Sequence, residues 1–475
     1  MKNLKSILLL GALGLSFGSC NKLVNGYDVN PNSPQNAPAD QQLTAAELSE
    51  GFFMSGEMPR LTGIWADFFT GADRQYQGLE LYNTSANDYD NAWGSAYATT
   101  LAQARLVQTK AQVLNNLRLL GMGQVVEAQI VGTVTDLWGD VPYSQALMDA
   151  PGKYDAQPTV YTAVQVLLDQ AITNLPLNGI SPGARDIFYQ GAAAKWVAAA
   201  HSLKARNFLH VKNYAQAAVE ARLGIASKAG DMLMPYNATS ANGKDANPYY
   251  DFVTNSRVGY LSAEGPAATP ALGTYAYQLY NARTNAKTNE VSRRNYFYTT
   301  NSATTPTTAG YAVEINVSSG AFAVNAYAPV VTYYETQAIL AEALARTGDV
   351  TGAIAALNNL RAYDAAMYTA AGAKYAAYTV NDFAPLGLLN PGVAGPTTAQ
   401  TLLKEILTEK YLGMVGQIEP FNDLRRTGNL IGIPKKSSTA NDIPQRLLYP
   451  QSEIDTNPNV PKPIPGLFIK TAVNG

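Results

Sequence analysis

Apolar residues recur at helical spacing along several long stretches of the chain: Ala92 to Leu120, Gln124 to Leu137, Val160 to Leu175, Gly191 to His210, Tyr214 to Ser227, Thr332 to Arg346, Thr351 to Tyr363 and Thr401 to Val415. Strand-like alternation is rare by comparison. Helix stops fall at Gly121, at Gly139 followed by Pro142, and at Asn174 to Pro176, while Gly348-Asp349 reads as a tight turn between two helices. The small residues inside these stretches sharpen the picture. With Tyr334 as position one, YYETQAILAEALARTGDVTGAIAALNNLRA fits the 34-residue tetratricopeptide template: Ala341 and Ala353 take its two small positions, and Leu340, Leu344 and Leu357 take apolar ones. WVAAAHSLKARNFLHVKNYAQAAVEAR repeats the register with Ala205 and Ala217 small and Phe208 large. Alanine at those positions lets two antiparallel helices approach closely. The fold class expected is mainly α, with tetratricopeptide-like helix pairs forming a scaffold. Long irregular insertions interrupt it, one at about 237–328 rich in Tyr, Asn, Thr, Ser and Gly, another from Met367 to Pro396.

Composition narrows the function. Of 475 residues only 15% are charged and the net charge is −2, so the basic field that holds a polyanion is missing and nucleic acid is not an expected partner. Cys20 is the single cysteine, which excludes an intramolecular disulfide or a thiolate metal cluster. The start of the chain is a secretory signal: Lys2 and Lys5, an apolar run from Ile7 to Phe17, then Gly18-Ser19 before the cysteine. The run is too short to span a bilayer. Cys20 resembles the lipobox cysteine of bacterial lipoproteins, with Phe17 standing where that motif usually has Leu, Val or Ile. Residues 1–19 are then a lipoprotein signal peptide, 20–42 a lipidated tether, and 43–475 a single helical domain carrying the insertion.

Five strings in order carry a wider resemblance: TDLWGDVPYSQAL, KWVAAAHSLKARNFL, YYETQAILAEALARTGD, KEILTEKYLGMVGQIEPFNDLRRTGN and IPQRLLYPQSEIDTNPN. They are similar to recurring segments of the SusD/RagB family of Bacteroidetes outer-membrane lipoproteins, and GYDVNPNSP resembles the opening of one branch of it. The resemblance runs from Cys20 to the C-terminus. It implies a nutrient-binding lid, without catalysis or cofactor, that captures a glycan or peptide at the outside of the outer membrane and delivers it to a SusC-like TonB-dependent transporter.

The residues themselves agree on capture. Tyrosine numbers 29 against 13 phenylalanines, and a tyrosine ring offers an apolar face with a hydroxyl at its edge, suited to sugar rings and peptide side chains. Candidate ligand residues are Trp65, Tyr76, Tyr82 and Asn83 before the first long helical stretch, and Tyr249, Tyr250 and Arg257 in the insertion, where much of the ligand surface is expected. The helix pairs are expected to supply the scaffold and the transporter contact. Trp93, Trp138 and Trp196 lie in or at the ends of helical periods and are assigned to packing. No metal site is expected: His201 and His210 are nine residues apart on one helix and point to opposite sides. Glu405 and Glu409 could suggest a glycosidase acid and base. With Lys404, Lys410, Arg425 and Arg426 near in sequence, they are expected to form an ion network instead. A secreted helical-toroid enzyme that degrades glycans and a non-binding tetratricopeptide scaffold are the alternatives.

Overall fold

The computed structural model of the chain describes residues 37–238, 245–266, 268–300 and 312–475. The signal peptide and Cys20 lie outside the described residues. Helices dominate, and the strands among the described residues form five short antiparallel two-stranded ladders. Helix α1, Ala39–Ser55, starts four residues before the domain boundary expected at 43; Ala39, Leu43 and Ala46 are buried, so the apolar face of this helix anchors the start of the body. It packs on α2, Ala102–Val113, which begins a run of neighbours: α3, Leu117–Trp138; α4, Gln157–Asn174; α5, Ala193–His210; and α6, Tyr214–Leu223.

The chain then leaves for the insertion and returns as α7, Tyr333–Arg346, which packs directly on α6 and is followed by α8, Val350–Met367, and α9, Thr398–Gly413. Its departure and return are tied by the ladder of Met232–Met234 with Ala328–Val331, in the register Met232↔Val331 and Met234↔Ala328. Because this neck holds the two chain ends side by side, the two tetratricopeptide-like pairs, far apart in sequence, stack as neighbours. Ala205, Ala217, Ala341 and Ala353 are all fully buried where the helices close on one another, the place the template assigns to small residues.

The expected break at Gly121 is displaced. The chain breaks at 114–116, where Asn115 has φ +49° and the Asn116 side chain caps α3 by accepting from the Leu119 amide. Helix α3 then runs straight through Gly121, because a Cβ there would stand 2.7 Å from Leu175 Cγ: this glycine permits the close approach of α4 and does not end a helix. The stretch from Ala92 is likewise divided, by a π-helical segment at Ser95–Leu101. Pattern alone also missed the helix Glu57–Trp65, and α6 stops at Leu223, short of Ser227. Trp93, Trp138 and Trp196 are buried, with Trp93 and Trp138 edge to face at 5.4 Å.

Candidate functional site

A cavity of about 390 Å³ opens where the helix pairs meet the insertion. Its floor and walls are aromatic. Tyr334, at the start of α7, and Tyr363, near the end of α8, meet edge to face at 5.4 Å; Tyr368 and Tyr296 do the same at 5.4 Å; and Tyr249 lies against Phe322 at 4.6 Å. Tyr327 stands at the mouth, 56% exposed. Two glycines, Gly413 at the end of α9 and Gly416 just after it, make room for this arrangement. A Cβ on Gly413 would collide with the Tyr334 ring, and one on Gly416, whose φ is +81°, would stand 2.7 Å from Phe322.

Two of the wall rings are held by polar partners. Tyr249 donates to the Gly416 carbonyl (3.2 Å), and Tyr334 donates to the Glu409 carbonyl (3.0 Å) while accepting from Arg293 (3.2 Å). Burial pushes the Tyr334 and Tyr368 phenols well above the usual range, so both rings stay neutral. Among the described residues, the charged side chains on the lining are Lys228 and Asp231. Lys228 is 5.9 Å from the Tyr363 ring centre. The Asp231 carboxylate accepts from the Tyr333 amide (2.7 Å), which partly offsets the burial that pushes it up to about 6. The cavity thus offers ring faces and neutral dipoles and very little charge.

Of the residues chosen from sequence, Tyr249 lines the cavity. Three others are corrected to packing. Trp65 is fully buried, donates to the Leu79 carbonyl (2.9 Å), and meets Tyr82 edge to face at 6.2 Å and Phe421 at a tilt at 5.6 Å. Tyr76 packs on Phe252 at 4.9 Å, and Tyr82 accepts from the Lys436 amide (2.8 Å). They sit before the first long helices in sequence, but Phe252 and Tyr260 of the insertion cover Tyr76, and Phe421, Lys436 and Phe468 from the C-terminal part of the chain cover Trp65 and Tyr82. Asn83 and Arg257 are exposed and Tyr250 is half-buried, none of them on the cavity lining. Sequence reasoning missed Tyr296, Phe322, Tyr327, Tyr334, Tyr363 and Tyr368. The first three lie inside the stretch expected to hold ligand surface; Tyr334 and Tyr363 were absorbed into the helix pattern. The GMVG string after α9 was the available signal, since its glycines are the places where rings meet backbone.

Away from the cavity, many ionisable groups are gathered in buried networks, of which two bear on the candidate residues. Glu405 and Glu409 do form an ion network, but with partners other than those expected: Arg283 reaches both (2.8 and 2.6 Å), and Arg293 and Arg361 reach Glu409 (2.9 and 2.8 Å). Lys410 and Arg426 turn instead to Asp423. Burial would raise Glu409, yet these three guanidiniums hold it down to about 2. Asp364, paired with Arg293 at 2.6 Å, goes the other way, raised to about 8 by burial and by the nearby Glu409 and Glu290. With Glu290 and Glu405 the cluster holds four carboxyl groups and three arginines, so a proton on Asp364 balances it.

In the second network His210 bridges Asp136 (2.8 Å) and Glu419 (2.9 Å), while His201 points away to Glu220 (2.7 Å). Burial disfavours the imidazolium, but the two carboxylates outweigh it and lift His210 to about 9. Asp136, His210 and Glu419 have the spacing to close round a cation. Arg206, 3.7 Å from Glu419, and Arg425, which donates to the Asp136 carbonyl, already supply positive charge there, so a proton satisfies this trio.

Stacked helix pairs with buried ion networks, carrying an aromatic cavity where they meet the insertion, define a binding scaffold. The chain belongs to the SusD-like family described as starch-binding and associating with the outer membrane, which matches residues 37–450. Its fold is that of a SusD/RagB family protein from Bacteroides thetaiotaomicron (21% identity, TM-score 0.67, 89% of this chain and 95% of that one). A SusD homologue from Bacteroides fragilis (18%, 0.68, 92% and 99%) and a chitin-binding SusD homologue from Flavobacterium johnsoniae (16%, 0.65, 91% and 98%) share it. No curated protein matches the sequence. Among the described residues no helix is long and apolar enough to cross a membrane.

Proposed function

We propose that this protein is a lipid-anchored nutrient-capture protein at the outer face of the outer membrane, which binds a neutral glycan in the aromatic cavity and delivers it to a SusC-like TonB-dependent transporter. The observation that carries the proposal is the lining itself: among the described residues, six tyrosines and two phenylalanines surround about 390 Å³, with one lysine and one aspartate as the charged groups. Ring faces stack on the C–H faces of sugars, and the small number of fixed charges favours a neutral ligand. The family description and the chitin-binding relative point the same way. The cavity accommodates the end of an oligosaccharide, and the accessible Tyr250, Arg257 and Asn83 are candidates for an outer ligand surface. The protein carries out no catalysis in this proposal, because Glu405 and Glu409, the carboxyl pair that could act on a glycosidic bond, are occupied by arginines in the interior.

Calorimetric titration with chito- and malto-oligosaccharides, and with neutral peptides as the competing class, tests the ligand. Saturable binding without product, lost in Tyr327→Ala, is expected. Product formation, or binding indifferent to Tyr327→Ala and Tyr296→Ala together, overturns it. Co-purification of a TonB-dependent transporter from membranes tests delivery.

A further inference from the structure

One group on the cavity lining differs from the rest. Asp231 stands one residue before the neck strand Met232–Met234 and is tied to the start of α7, which follows the other strand of that neck. Its Oδ1 accepts from the Tyr333 amide (2.7 Å), while Oδ2 has no hydrogen-bond partner among the described residues. The carboxylate lies close to the aromatic wall, since burial and then the Asp231 charge push the Tyr363 phenol up.

Other polar side chains of the lining are engaged within the protein. Ser55 donates to the Gly51 carbonyl (2.6 Å), and Thr332 accepts from the Glu335 amide (3.2 Å). Asn247 donates to the Ala326 carbonyl (2.9 Å) and accepts from the Tyr249 amide (2.9 Å). Gln417 adds a neutral amide, so Asp231 Oδ2 is the open charged acceptor of the lining among the described residues. The two charges of the lining are also unequal. Asp231 is half-buried in the wall, whereas Lys228 is exposed, with its ammonium 3.1 Å from the Met367 sulfur. A charge set in a low-dielectric wall acts on a ligand more strongly than one held in water, where salt screens it. At the ring faces the negative charge prevails.

We propose that Asp231 sets both the orientation and the class of the ligand: Oδ2 accepts a hydrogen bond from a hydroxyl of a neutral sugar stacked on the rings, and the same charge turns away sugars that carry a carboxylate. The proposal rests on the aromatic cavity being the glycan site. A carboxylate accepting from a hydroxyl makes a charge-assisted bond, and hydroxyls are the donors that a neutral sugar presents around its apolar faces. The acid supplies a direction that stacking lacks, because a ring face accepts a sugar in many rotations, and a few placed polar groups fix one of them.

Calorimetric titration of the wild type and Asp231→Asn with maltohexaose, chitohexaose and hexagalacturonate at neutral pH tests this. Asparagine keeps an acceptor for the Tyr333 amide, so the melting temperature is expected to hold. Asp231→Asn should weaken binding of the neutral sugar by about fivefold or more, the difference between a charged and a neutral acceptor, and should gain affinity for hexagalacturonate. Adding Lys228→Met should remove that gain, because Lys228 is then the charge that draws the acid. Unchanged affinity for the neutral sugar in Asp231→Asn overturns the proposal, as does a wild type that binds hexagalacturonate as tightly as the neutral hexaoses. Loss for the neutral sugar without the gain for the acid also overturns it, since a merely structural defect weakens both. Failure of the underlying reading looks different: no binding of either neutral hexaose, or binding that Tyr327→Ala and Tyr296→Ala together leave untouched, removes the ligand from the cavity and overturns both.

Discussion

Holding a charged histidine between Asp136 and Glu419 in the interior makes stability depend on pH in a calculable way. His210 has an ordinary value of 6.5, lifted to about 9 in the folded protein by the two carboxylates against the opposing effect of burial. Each pH unit between those values is worth about 1.4 kcal/mol, so the bridge contributes about 3 kcal/mol at most. The folded value is the higher one. The contribution is therefore complete below pH 6.5 and disappears as pH rises through about 9. Urea unfolding of the wild type and of His210→Gln at intervals from pH 6 to 10 isolates it, because the other groups that titrate in this window, including Asp364 in a separate cluster, are common to both proteins. The gap between the two curves should shrink by about 3 kcal/mol toward pH 10. With only two histidines in the chain, an imidazole NMR titration gives the value directly. Parallel stability curves, or a His210 ring that titrates at or below 6.5, would refute the charged bridge.

Other outcomes follow from burial. Glu47 is pushed well above the carboxylate range, first by burial and then by the adjacent Asp186, so its folded state favours a proton and loses stability as pH rises past the ordinary glutamate value. Glu47→Gln should flatten that decline at neutral pH in the same unfolding assay, and a variant less stable at pH 8 than the wild type would count against it. Ala341→Phe, at a fully buried helix contact, should cost roughly 1 to 3 kcal/mol or more; an unchanged melting temperature would refute the tetratricopeptide register. Trp65→Ala should destabilise by about 3 to 5 kcal/mol, whereas Tyr327→Ala should leave the melting temperature alone and weaken glycan affinity. The reverse pattern would return Trp65 to the ligand face. Cys20→Ser should release the protein from membranes, checked by fractionation after a salt wash.

What this sequence determined by itself is what short-range periodicity and spacing can carry. The apolar recurrence marked the scaffold helices, and the alanines at positions 205, 217, 341 and 353 marked where two helices touch, because a contact between neighbouring helices of a hairpin is local and leaves its size requirement in the chain. The five strings placed the chain in its family for the same reason. Tertiary structure alone decided the rest. Gly121 ends no helix because Leu175, from another helix, fills the space its missing side chain leaves. Glu409 meets Arg283, Arg293 and Arg361 in place of the cations beside it in sequence, because the insertion, which carries the first two, and α8, which carries the third, both pack against α9. Trp65 and Tyr76 resemble loop aromatics in sequence and are core in space, while Tyr334 and Tyr363 resemble helix packing and line the cavity. An aromatic residue has the same periodicity whether its outer face meets another side chain or an open cavity, and only the closure of the Met232–Met234 and Ala328–Val331 neck, which brings distant segments together, distinguishes the two.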